Sequence, residues 1–186
     1  MLKYINEKDF LFIKWVSKYK VSKNWEQFLN FYTRIGDGYI WIILAIAIFS
    51  TTSIPQALST VREACLTGLL SVIVYKLIKE TTRRPRPYAS LGQEAEVNPL
   101  DEYSFPSGHT MNNLAVGFAL TYTLPVFGYL MIFVSVSWGT LRVWFKVHFL
   151  TDVLAGIVLA YLCNLVGHEL NQLLSIWVPW AQPGQL

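Results

Sequence analysis

Two histidines, one carboxylate and three cations are spaced along this chain in a way suited to phosphoryl chemistry. His148 and Asp152 stand i, i+4, so on a helix they share a face and Asp152 can accept from one imidazole nitrogen. The other nitrogen is then basic and aimed, as a nucleophile or general base requires. His109, from a different stretch, is a candidate proton donor, because two histidines with different neighbours let one site separate a nucleophile from an acid. Lys79, Arg86 and Arg142 would put three cations around one point, and the planar fork of arginine matches phosphate oxygens. Ser107 and Gly108 open a helical pattern, where free N–H groups and the positive dipole end favour an anion. A phosphate is the guest that suits this set.

The elements that must carry these residues are apolar. Of 186 residues, 53% are hydrophobic and 15% charged, with a formal charge of +3, and the mean hydropathy is +0.37. That balance excludes a disordered chain and argues against a nucleic-acid partner. It predicts an all-α fold: an integral membrane helical bundle of about five transmembrane helices, near 36–54, 58–78, 108–124, 126–144 and 152–174. Between His109 and Arg142 no residue is charged, and one helix of that length would overshoot a hydrocarbon core of about 30 Å. Pro125 and Gly128 break it into a hairpin. Counting crossings then brings Lys79, Arg86, Ser107, His109, Arg142, His148 and Asp152 to one membrane face.

Residues 1–35 alternate lysines with aromatic and aliphatic side chains, the pattern of an amphipathic interfacial leader, with a helical pair folded against the bundle as the alternative. The membrane domain follows over 36–180, interrupted by a polar loop at 79–107. In Gly36-Asp37-Gly38 the glycines separate leader from span, and Asp37 is a minor candidate to pair with one of the cations. Cys65 and Cys163 lie inside apolar stretches and read as small buried hydrophobes. His168 and Glu169 fall at the opposite end of the last span and read as structural or interfacial. A zinc site fails: HExxH is absent, and three cations beside the two histidines would repel a divalent metal.

Lys79-x6-Arg86-Pro87, Pro106-Ser107-Gly108-His109 and Arg142-x5-His148-x3-Asp152 resemble, in order and spacing, the three signature motifs of the type 2 phosphatidic acid phosphatase superfamily, which also includes vanadium haloperoxidases. The resemblance implies an all-helical membrane phosphatase that needs no metal and no other cofactor. It implies His148 as the nucleophile that forms a phosphohistidine, Asp152 as its orienting partner and His109 as the acid for the leaving group. Lys79, Arg86, Arg142, Ser107 and the Gly108 backbone would hold the phosphoryl oxygens. One departure is Leu141, where the family usually has serine before the arginine. Arg83 and Arg84 fall outside the motif spacing and read as headgroup or lipid-phosphate contacts.

The substrate class expected from this is a membrane lipid with a terminal phosphate: phosphatidylglycerol phosphate, undecaprenyl pyrophosphate, phosphatidic acid or lipid A 1-phosphate. The acidic stretch Glu94 to Glu102 is a candidate to help choose among them. The competing class is a non-catalytic lipid-phosphate binder or a transporter, but transporters place ionisable groups near the bilayer centre, and only Lys76 sits deep here. The resemblance implies a bacterial inner-membrane protein with its site toward the periplasm or cell exterior. The positive-inside rule alone points the other way, because most Lys and Arg lie on the site's face. Catalytic cations and a surface-lying leader are not ordinary loop charges, which favours the outward orientation. No feature specifies an oligomeric state.

Overall fold

The computed structural model describes residues 2–177, and the expected domain end at 178–180 lies outside them. Among the described residues the chain is helical throughout: α1 (Leu2–Val16), α2 (Lys23–Ile35), α3 (Tyr39–Thr51), α4 (Ile54–Thr82), α5 (Pro87–Ser90), α6 (Gly108–Thr121), α7 (Pro125–Trp144) and α8 (Leu150–Trp177). α6 is the axis around which α4, α7 and α8 pack. It is buried on nearly every side, through Met111, Leu114, Ala115, Ala119 and Leu120.

The burial pattern is that of a protein in lipid. Val126, Tyr129, Leu130 and Phe133 on α7 and Leu154, Val158 and Leu162 on α8 are exposed, while Thr60, Ser71, Asn113 and Ser135 are buried. Apolar side chains face outward and polar ones find partners inside, because hydrocarbon offers no hydrogen bonds.

Among the described residues three helices are long and apolar enough to cross a bilayer, rising to four if the α2–α3 pair, bent by 60°, is one broken span. The expected five are not reached by length and composition alone. α3 has 13 residues and α6 has 14, lengths of about 20 Å at 1.5 Å per residue, short of a core of about 30 Å. α6 ends early because Tyr122 to Leu124 form the turn that admits Pro125. Its apolar residues serve the protein interior, and Asn112 and Asn113 lower its hydropathy. The hairpin itself is where the sequence places it, between α6 and α7.

α1 seats Ile13 among Val143, Phe149 and Val153 of the α7–α8 region, and Tyr32 of α2 bonds Ser137 of α7 at 2.6 Å. The N-terminal helices therefore touch the bundle through Ile13 and Tyr32. Their opposite faces still expose Trp15, Trp25, Phe28 and Phe31.

Candidate active site

Each polar cluster sits where a helix begins or ends. α4 stops at Arg83, whose left-handed backbone (φ 44°) returns its N–H to Lys79 O at 3.0 Å, and Pro85 prevents any continuation. Lys79 is thus held on the last turn. α7 stops at Trp144, and Lys146 at φ 57° reverses the chain so that the N–H groups of Val147 and His148 both reach Arg142 O, at 3.1 and 3.2 Å. That reversal sets His148 beside the end of the helix bearing Arg142. α6 begins at Gly108 with Ser107 as its cap residue. A Cβ at Gly108 would lie 2.8 Å from the Tyr75 ring, so only glycine lets α4 approach this helix start.

Lys79, Arg86, Gly108, His109, Arg142 and His148 line one cavity of about 550 Å³. Ser107, next to Gly108, is buried and does not itself line the cavity; Thr110 Oγ1 lies 3.0 Å from its hydroxyl oxygen. Asp152 is fully buried behind His148. Residues up to 73 positions apart in sequence, Lys79 to Asp152, are therefore gathered at one end of the bundle.

His148 lies in the turn between α7 and α8 and is buried. Its Nδ1 is 2.6 Å from the Ser104 carbonyl and 3.6 Å from Asp152 Oδ2. A carbonyl can only accept, so Nδ1 carries the proton and Nε2 keeps its lone pair. Burial pushes the His148 imidazole down to about 4, with the charges of Arg86 and Lys79 acting the same way and Asp152 opposing them. The ring is neutral at ordinary pH, the form in which it can attack phosphorus.

The expected orienting partner, Asp152, has two further partners besides the imidazole. It accepts from Phe149 N–H at 2.7 Å and from Arg84 Nη1 at 2.6 Å. Arg84 also reaches Asp9 Oδ2 at 2.7 Å through Nη2, and its guanidinium lies 4.1 Å from the Phe149 ring centroid. This corrects the reading of Arg84 as a lipid contact: it is a brace tying α1 to the start of α8. Arg83 is exposed, with Nε donating to Glu80 O at 3.0 Å.

Two carboxylates stand among the cations. Asp101, from the acidic loop, accepts from Lys79 Nζ at 2.7 Å, from Arg86 Nη2 at 2.6 Å and from the Tyr75 hydroxyl. Burial raises the Asp101 carboxyl, but Lys79, Tyr75 and Arg86 together hold it below its ordinary value, so it is ionised. Asp37 lies 2.6 Å from His109 Nε2 and 3.3 Å from Arg142 Nη2. Sequence reasoning gave Asp37 a minor place and had no signal for Asp101 beyond the acidic loop. A second acidic residue of that loop, Glu96, pairs with Lys146. Nε of Arg86 and both Nε and Nη1 of Arg142 are buried without a hydrogen-bond partner among the described residues. Such donors are expensive to leave unpaired, and an oxyanion would satisfy them.

At the other end of the bundle, His168 is 2.5 Å from Glu63 and stacks on Tyr122, a structural placement in keeping with its sequence position.

The PAP2 superfamily model matches residues 60–174, the span that carries every motif residue. The chain belongs to the PAP2 superfamily. This PAP2 chain is 28% identical over 141 residues to the undecaprenyl-diphosphatase BcrC of Bacillus subtilis, covering 76% of this chain and 72% of that one. It is 33% identical over 118 residues to phosphatidylglycerophosphatase B of the same organism, covering 51% of this chain and 53% of that one. Its fold is shared with LpxE of Aquifex aeolicus, at a TM-score of 0.71 and 21% identity, covering 85% of this chain and 93% of that one. It is also shared with the first transmembrane PAP2-type phosphatidylglycerolphosphate phosphatase from Bacillus subtilis, at a TM-score of 0.69 and 22% identity, covering 91% and 87%. Membership makes it a membrane phosphatase, a phosphoric-ester hydrolase.

Proposed function

We propose that this PAP2 chain removes the terminal phosphate of a membrane lipid through a phosphohistidine on His148, without a metal. The observation that carries the reading is the pairing of a neutral, Nδ1-protonated His148 with a cavity rimmed by Lys79, Arg86 and Arg142. In the first half, His148 Nε2 forms an N–P bond in line with the departing oxygen, the P–O bond breaks, and His109 gives the departing oxygen a proton. In the second half, water attacks phosphorus, His109 takes a proton from it, the N–P bond breaks, and orthophosphate leaves. Charge on the equatorial oxygens is met by the three cations, the Ser107 hydroxyl and the Gly108 N–H, which is where most of the acceleration arises.

A lipid is favoured over a soluble ester by what adjoins the cavity. A groove of about 380 Å³ between α3, α4 and α6, lined by Leu44, Ile48, Ala64, Leu69 and Val116, shares Trp41 and Val72 with the polar cavity. An acyl or prenyl tail in that groove leaves its phosphate at the cations. Among the four lipids named above, undecaprenyl pyrophosphate ranks first, because BcrC is the relative over which similarity extends furthest among those compared. The exposed aromatics Trp15, Trp25, Phe28 and Phe31 support a surface position for α1 and α2 at the lipid headgroups. The inner membrane and an outward-facing site complete the reading.

The test is phosphate release by the detergent-purified protein, with EDTA present, across the four lipids, with His148→Ala as control. Release that survives EDTA and is lost in the variant is expected. A folded protein that binds these lipids without releasing phosphate would instead be a lipid-phosphate binder.

A further inference from the structure

We propose that Asp37 is the positioning residue of the acid histidine, serving His109 as a dedicated carboxylate partner. The inference rests on the hydrolytic reading above. Asp37 comes from the turn between α2 and α3, outside the three motifs.

That turn is built to hold it. Asn113, one helical turn after His109 on α6, donates through Nδ2 to both Gly36 O at 3.0 Å and His109 O at 2.9 Å, while its Oδ1 accepts from Trp41 Nε1 at 2.8 Å. One side chain thus fastens the turn, the start of α3 and the backbone of the histidine together. A Cβ at Gly36 would lie 2.8 Å from Trp138 and 3.1 Å from His109 Cδ2, so the turn packs directly against the ring it serves.

The contacts around the His109 ring match both of its duties. Asp37 Oδ1, at 2.6 Å, can accept from Nε2–H, which leaves Nδ1 as the nitrogen that gives and retakes the proton, and Arg142 Nη2, 2.5 Å from Nε2 and 3.2 Å from Nδ1, can donate to Nδ1 once it is bare. A group that must give a proton and later take one from water needs a partner for each form. The charged and titratable groups facing the ring are Asp37 from the α2–α3 turn, Arg142 from α7 with Arg34 of α2 beyond it, and Asp101 from the loop. Tyr75 and Lys79 of α4 and His148 of the α7–α8 turn face the same cavity. α6 itself contributes no other ionisable group. In this cationic setting the Asp37 carboxylate, with Asp101 acting the same way from further off, favours the doubly protonated ring.

The experiment is the pH dependence of kcat for a lipid phosphomonoester, whose alkoxide leaving group must be protonated, in the parent, Asp37→Asn and Asp37→Glu proteins. Asp37→Asn should bring the basic limb down by at least one pH unit and lower kcat tenfold or more at pH 8. KM should change less than threefold, and Asp37→Glu should recover part of the loss. In a His109→Gln background, Asp37→Asn should cost nothing further. A basic limb that stays in place, or an equal loss in the His109→Gln background, would overturn the proposal even if the asparagine variant is partly misfolded. A parent protein that releases no phosphate would overturn the hydrolytic reading first, and this role with it.

Discussion

His148 turns its Nδ1 to the backbone carbonyl of Ser104, 2.6 Å away, and so owes its tautomer to the polar loop as much as to Asp152 at 3.6 Å. The loop between α5 and α6 is therefore part of the reacting group's environment. Asp152 spends its two oxygens on Phe149 N–H and Arg84.

The first prediction concerns that division of labour. Arg84→Gln leaves Asp9 and Asp152, both buried, without their cation, and breaking a buried pair typically costs about 3 kcal/mol. The thermal midpoint should drop by several degrees and kcat should fall, while KM for a lipid phosphate should stay within about twofold. A large rise in KM at constant midpoint would make Arg84 a substrate contact after all.

A second follows from the displaced titration of His148. Its conjugate acid cannot attack phosphorus, so a value near 4 in place of 6.5 keeps the base competent to lower pH. The acid limb of kcat/KM should lie below pH 5, and an acid limb at 6.5 would contradict the buried environment. The sign for stability is the same: between 6.5 and 4 the unfolded chain binds a proton that the folded chain does not. This contribution is fully present above 6.5 and is lost as pH falls through that window. His148→Gln should flatten it in acid unfolding experiments.

Asp101 supplies a third. Its carboxylate bonds Lys79 and Arg86, the same donors a phosphate would use, and it is ionised at working pH. Removing the charge in Asp101→Asn should tighten competitive inhibition by orthophosphate about tenfold, equivalent to about 1.4 kcal/mol. Weaker inhibition would mean that Asp101 holds the cations in place and does not compete for them.

The apolar groove provides a fourth. Ala64→Trp puts an indole among Leu44, Ile48 and Val116, and should raise KM for a long-chain lipid phosphate about tenfold or more while sparing a short-chain one. Equal effects on both substrates would detach the groove from the tail.

The helix ends were legible because their signals are local. The helix start at Ser107-Gly108 and the breaker at Pro125 depend on neighbours in the chain, and α6 and α7 begin there, whereas His148 stands in the turn before α8 and does not share a helix face with Asp152. The span count was less legible. Hydropathy cannot tell an apolar helix in lipid from one wrapped by protein, and α6 is the second kind.

By itself, then, the sequence determined an all-helical chain in lipid, the family it belongs to, and which side chains lie at the ends of its helices. Only the tertiary structure decided who meets whom. Asp37 reaches His109 across 72 positions, Arg84 reaches Asp9 across 75, and Asp101 enters the cationic cavity from a loop without periodicity. The Ser104 carbonyl carries no side-chain signature at all. Spacing dictates the face and end of a helix because backbone geometry repeats, whereas partners that distant are chosen by how whole helices pack, and the pairing of buried charge is settled where they close together.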